Sequence, residues 1–259
     1  MKRNLLMLLL AACTPALCSL TVYGEEPPPP ISDNSFLVEE AYNQDPGVVQ
    51  HISTFERVAG GDWAYSFTQE WLAPNLKHQL SYTLLLQESD GHRGIGDVAV
   101  NYRYQLAGSA ESRVAISPRV SLLLPTGDEK RGFGAGKTGI QLMLPVSTTL
   151  TPSLVAHWNA GATFLGGGDS RAWTAANSFV WLIRPRFNAL VETVWTRSES
   201  GGTHENETVV SPGIRWAYNF TSGLQIVPGL AVPMPVGPHH GDRSVFLYLS
   251  FEHPFRSVR

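Results

Sequence analysis

The sequence predicts an all-β fold, a single antiparallel transmembrane β-barrel of about 12 strands preceded by a signal peptide. Three observations predict it. Apolar and polar residues alternate over many strand-length segments. Only 16% of the residues are charged, against roughly 25% in an average soluble domain. The connections between segments are short and long by turns. Hydrophobic residues make up an ordinary 43%. From Thr138 to Gly168 there is no Lys, Arg, Asp or Glu, yet Gln141, Asn159, Pro145 and Pro152 rule out a membrane helix there.

The chain opens MKRNLLMLLLAACTPALCSLTVYG. Lys2 and Arg3 form a basic n-region, Leu5 to Ala12 an apolar h-region, and small residues follow, as in a secretory signal peptide. Cleavage after Gly24 divides the chain into a signal peptide (1–24), an N-terminal periplasmic segment (25–46) and the barrel (47–259). LAAC, ending at Cys13, offers the rival of lipidation. Removal of residues 1–24 takes both cysteines, so no thiol, disulfide or Cys-based metal site is expected. The net charge of −3 then becomes −5, because only Lys2 and Arg3 are lost, and nucleic acid is not an expected partner.

The strands follow in order. Val48 to Arg57 has ambiguous faces. Trp63, Tyr65, Phe67 and Trp71 alternate with Ser66, Thr68 and Glu70, and Leu80, Tyr82, Leu84 and Leu86 with Gln79, Ser81 and Thr83. GDVAVNYRYQL (96–106) sets Val98, Val100, Tyr102, Tyr104 and Leu106 toward lipid, and Asp97, Asn101, Arg103 and Gln105 toward the lumen. Residues 113–124, 139–146, 154–164, 178–183, 187–195, 210–218, 224–232 and 245–255 repeat the pattern, with a poor polar face at 178–183.

Every second connection is short: APNL (73–76), AGSAES (107–112), TTLTP (148–152), RPRF (184–187) and NFTS (219–222). The others include QESDGHRGI (87–95), PTGDEKRGFGAGK (125–137), LGGGDSRAW (165–173), SESGGTHENE (198–207) and PMPVGPHHGDR (233–243), which are longer and hold most of the charge; only the first, AGGD (59–62), is short. Short turns on one side and long polar loops on the other is the arrangement of outer-membrane barrels. The last strand, SVFLYLSFEHPF, ends on Phe255 and resembles their C-terminal signature, with four further residues after it.

Four stretches carry a wider resemblance: ISDNSFLVEEAYNQDPGVVQHISTF (31–55), GIGDVAVNYRYQL (94–106), SPRVSLLLPTGD (117–128) and LVAHWNAG (154–161). They resemble a family of outer-membrane barrels named for a meta-pathway of phenol degradation. The resemblance runs from about residue 31 to the end. It implies a Gram-negative outer-membrane protein of transporter type, with no established substrate and no catalytic motif to carry over.

The candidate lumen-lining residues are Glu70, Asp97, Asn101, Arg103, Arg119, His157, Glu192 and Arg215. Both signs occur, so no single-sign selectivity ring emerges. Twelve strands fall between the filled barrels of about 8 and the open ones of about 16, so a narrow pore and a plugged lumen both fit. Glu39, Glu40 and Asp45 form an acidic run that suits either docking under or inside the barrel or a solvated periplasmic segment. The leading functional reading is a non-enzymatic channel for small solutes, with outer-membrane lipid and, during biogenesis, the barrel-insertion machinery as partners and no cofactor or metal.

Other motifs weigh less. Gly136, Lys137 and Thr138 end like a phosphate-binding loop, but Arg131 stands where that motif needs glycine. His51 and Ser53 resemble the His and Ser of membrane-embedded phospholipases, and make a barrel-embedded lipid hydrolase the alternative. His239, His240 and Asp242, with His92 and His204, are loop residues of the kind that are usually just solvated. A closed barrel whose loops bind a ligand is the third reading.

Overall fold

The computed structural model describes residues 30–168, 170–221, 224–237 and 242–254. The signal peptide, most of the EEPPPP spacer, His239, His240 and Phe255 lie outside the described residues. The described chain forms a closed antiparallel barrel of 12 strands. β1 (Val48–Val58), β2 (Trp63–Leu72) and β3 (His78–Ser89) lead into β4, which is His92–Ile95 continued by Val98–Tyr104. β5 joins Val114–Ile116 to Arg119–Leu124. Next come β6 (Gly139–Thr151), β7 (Leu154–Leu165), β8 (Ser170–Arg184) and β9 (Phe187–Ser200). β10 is Thr203–Trp216 with Tyr218–Asn219, β11 is Gln225–Ala231 with Met234–Val236, and β12 is Ser244–Pro254. β12 pairs with β1 from Val48↔Pro254 to Val58↔Ser244, which closes the wall and leaves no free edge.

The barrel is inverted relative to a soluble protein. On β4, Val100 and Tyr102 are 43% and 39% exposed, whereas Asn101 and Arg103 are 6% and 4% exposed. The exposed set around the wall is apolar, with Leu84, Leu122, Leu142, Trp158, Ile214 and Leu247 among it; Gln79, Ser121, His157, Glu192 and Arg215 are buried. On β8 the exposed Trp173 and Trp181 stand eight residues apart. That spacing is roughly 26 Å along a strand, or about 20 Å along the normal at a tilt of about 40°, close to the height of a barrel's apolar band. The outward face is therefore built for lipid, and the chain is an outer-membrane β-barrel.

Two features differ from the sequence expectation. The connections read as long loops at 87–95 and 198–207 are largely strand, because Asp90-Gly91 and Gly201-Gly202 all have positive φ and make two-residue turns that continue the hairpin twist. The strand read at 178–183 runs from Ser170 to Arg184. Its first half, Ala172, Thr174, Ala175 and Ala176, offers too little polar contrast for the alternation to show. As a result β8, β9 and β10 reach 15, 14 and 14 residues against 11 and 10 in β1 and β2.

Candidate functional site

The lumen holds the chain's own N-terminal segment. Residues 31–44 enter at the short turn between β8 and β9, where Ile31 N donates to Pro185 O at 2.7 Å. They rise to mid-barrel and descend to the short turn between β2 and β3, where Asn43 Nδ2 donates to Leu76 O at 3.0 Å. β1 begins four residues after Gln44. The segment makes no regular ladder, so barrel side chains must satisfy its buried backbone groups.

They do so one by one. Glu192 Oε1 accepts three successive amides, Phe36 at 3.1 Å, Leu37 at 2.8 Å and Val38 at 3.0 Å. This is an anion-binding bend of the backbone closing on a carboxylate. Asn159 pairs with Glu39 in both directions, accepting its N–H at 2.8 Å and donating to its carbonyl at 2.9 Å. Gln105 accepts from Asn43 N at 3.1 Å and donates to Ala41 O at 2.8 Å, and Gln79 accepts from Gln44 N at 2.8 Å. Ser35 Oγ donates to Ser178 Oγ at 2.6 Å.

His157, fully buried, stands in a relay. Ala41 N donates to Ser147 Oγ at 2.8 Å, Ser147 Oγ lies 2.7 Å from His157 Nδ1, and His157 Nε2 lies 2.9 Å from Asp33 O. A carbonyl only accepts, which places a proton on Nε2. Arg215, 1% exposed, donates to the carbonyls of Ser32 and Asn34, and its guanidinium sits 5.0 Å from the Tyr248 ring centroid.

The acidic run supplies the charge pairs. Arg119 grips Glu39 with both ends of its fork, Nε to Oε2 at 2.9 Å and Nη2 to Oε1 at 2.6 Å. Arg103 Nη2 adds a third contact at 3.0 Å, and its Nη1 lies 3.7 Å from Glu40. Burial pushes the Glu39 carboxyl up, but the Arg119 and Arg103 guanidiniums outweigh it and hold the group below the usual carboxylate range.

One apolar knob completes the docking. Phe36 packs on Phe246 and Tyr248, with ring centroids 5.7 and 5.1 Å away. It seats over Gly213 of β10 and Gly229 of β11, where an added Cβ at either would come within 2.6 Å of the ring. Glycine is required there by close approach.

Apart from its contacts to Gln79, Arg103, Gln105 and Arg119, the segment leans on β6 to β12 and leaves space beside β1 to β5. A cavity of about 490 Å³ lies there, with Thr54, Ser66, Thr68 and Thr83 on the wall and Glu70, Arg119, Phe36 and Tyr248 around them. The hydroxyls pair across strands, Thr54 with Ser66 at 2.6 Å and Thr68 with Thr83 at 2.9 Å.

The sequence-predicted lumen residues thus divide. Arg103, Arg119, His157, Glu192 and Arg215 all contact the N-terminal segment. Glu70 also reaches the segment, accepting from Gln44 as well as from Gln79, and Asn101 accepts from Arg119 at 3.0 Å. Asp97 sits apart, at the mouth, taking Gly127 N and Ala135 N at 2.9 and 2.7 Å and so pinning the loop 125–137. In that loop Phe133, 2% exposed, covers Gly94. Sequence reasoning set Gln105 toward the lumen without giving it a partner, and it missed Gln79, Ser147, Ser178, Gly213 and Gly229. All stand on inward faces of the alternating segments, the one signal they give.

No hydrogen bond joins His51 to Ser53 among the described residues. Ser53 Oγ lies 3.2 Å from Tyr65 Oη, and His51 stacks on Phe251 with centroids 4.7 Å apart. Among the described residues no cluster of three metal-ligating side chains occurs.

The sequence profile of a protein family described as "Putative MetA-pathway of phenol degradation" matches residues 35–230. Among solved structures, an outer membrane channel from Pseudomonas putida F1 superposes with a TM-score of 0.59 at 15% identity, covering 82% of this chain and 97% of that one. The NanC porin superposes at 0.52 and 11% identity, covering 78% of this chain and 98% of that one. These likenesses are to the fold. No curated protein matches the sequence.

Proposed function

We propose that this chain, which belongs to the family just described, is an outer-membrane channel for small solutes in which residues 31–46 act as an internal gate. One observation carries the reading: the charged groups of the lumen are spent on holding that segment, through reversible hydrogen bonds and ion pairs. Both ends of the docked segment lie at the short-turn side, so it can leave the lumen without threading the barrel. The solute path follows the cavity against β1 to β5. Hydroxyls on one side and the Phe36, Phe246 and Tyr248 rings on the other suit a small aromatic or hydrophobic compound carrying a hydroxyl group. The family's description is consistent with that choice.

Proteoliposome swelling tests it. The mature protein is expected to admit a simple phenol faster than an uncharged disaccharide, and replacing Thr54 and Thr68 with valine is expected to narrow the difference. Equal exclusion of both solutes by correctly folded barrel would remove the channel reading, and lipid hydrolysis surviving alanine at both His51 and Ser53 would remove those residues from consideration.

A further inference from the structure

The outer wall carries a second site. Strand register places Arg171, Trp173 and Ala175 of β8 on the outward face, opposite Glu199, Arg197 and Trp195 of β9. On the other flank Ala162 and Ala160 of β7 lie opposite Trp173 and Ala175. Ala160 and Ala162 floor a groove of about 640 Å³ walled by Leu142, Leu144, Trp173 and Trp195, and Ala160 and Ala175 line its continuation of about 430 Å³, which shares Leu144 and Trp195. Above it, toward the loop end, a polar cleft of about 600 Å³ is lined by Arg171, Arg197, Glu199 and His204. An apolar groove surmounted by a polar cleft on the lipid-facing wall matches an acyl chain below a headgroup.

Charge decides the headgroup. Arg171 and Arg197 both bond Glu199 through Nε, at 2.6 and 2.8 Å, so among the described residues two guanidiniums share one carboxylate and one positive charge is left over. The hairpin's other acids, Glu205 and Glu207, pair with Ser198 and Thr196 and belong to the opposite, lumen-side face. Lys137 adds a further cation beside Gly167. Tryptophans at the foot of the cleft mark the membrane interface, which puts the arginines at headgroup level. We propose that this face binds a phosphorylated glycolipid of the surrounding leaflet, with a phosphate on Arg171 and Arg197 and an acyl chain over Ala160, Ala162 and Ala175. Guanidinium forks fit phosphate better than the zwitterionic headgroup of an ordinary phospholipid.

The test uses the whole mature barrel, purified in mild detergent and offered diphosphorylated lipid A or phosphatidylcholine, with lipid retention read by native mass spectrometry. The wild type is expected to retain lipid A selectively. R171Q/R197Q is expected to lower retention by roughly tenfold, and A175W to lower it by filling the groove with both arginines intact. E199Q frees the guanidiniums and is expected to raise it. All three variants are expected to keep wild-type conductance, which separates this site from the lumen. Equal retention of the two lipids, meaning annular lipid only, overturns the proposal. So does retention unchanged in R171Q/R197Q, or a stable dimer that A175W dissociates.

Discussion

Glu39 and Arg119 meet as carboxylate and fork, with Oε1 2.6 Å from Nη2 and Oε2 2.9 Å from Nε, 80 residues apart in sequence. One belongs to the segment that fills the lumen and the other to the wall of β5, so the pair measures whether the segment is docked.

Its pH dependence has a definite sign. The docked Glu39 is held below its ordinary value of 4.5. A depressed carboxylate contributes to docking above its undocked value, and that contribution is lost as pH falls through the docked one. Channel open probability is therefore expected to stay flat from neutrality to about pH 5 and to rise only in stronger acid. Glu39→Gln removes the charge at every pH, and is expected to raise opening already at neutrality. Single-channel recording across the range checks both.

The Phe36 socket predicts a steric route to the same end. Gly229→Ala places a Cβ 2.6 Å from the ring and is expected to unseat the segment with the barrel intact. Phe36→Ala is expected to weaken docking by roughly 2–4 kcal/mol. A glutamate-specific protease reports the outcome, since cleavage at Glu39 and Glu40 requires the segment to leave the lumen.

Glu192 predicts a graded response. Gln keeps an acceptor for the amides of residues 36 to 38, whereas Ala strands three buried donors at a cost of about 3 kcal/mol or more. Hydrogen exchange at those amides is expected to quicken slightly in E192Q and strongly in E192A.

Asp97 governs a different element. Asp97→Ala removes both of the carboxylate's hydrogen bonds to the loop 125–137, and is expected to loosen the chain so that trypsin cleaves at the already exposed Lys130 and Arg131 while the amides at residues 36 to 38 keep their protection. Accelerated exchange at both places would mean that loop and gate are coupled.

The wall was legible in the sequence because lipid on one side and water on the other force a period of two, as in Val100, Tyr102 and Asn101, Arg103. The hairpin extensions were not, since Gly201-Gly202 marks a turn without saying how far the strands run on either side. The docked N-terminal segment was the least legible part. Residues 31–44 bind mainly through backbone N–H and C=O groups, which every sequence possesses, and so leave no periodic trace. Only the acidic run and the inward arginines hinted at it, and Glu39 with Arg119 and Arg103 shows where those charges go.

The most direct test of the gate locks it. Ser35 and Ser178 touch through their hydroxyls at 2.6 Å, and the chain's only cysteines, Cys13 and Cys18, lie in residues 1–24, the stretch read from the sequence as a signal peptide. S35C/S178C in the mature barrel is therefore expected to form a single disulfide across gate and wall. Planar-bilayer recording is predicted to show openings suppressed in the oxidised protein and restored by reductant to the wild-type level. The same conductance in both redox states, with the disulfide verified by mass, would contradict the claim that residues 31–46 gate this channel.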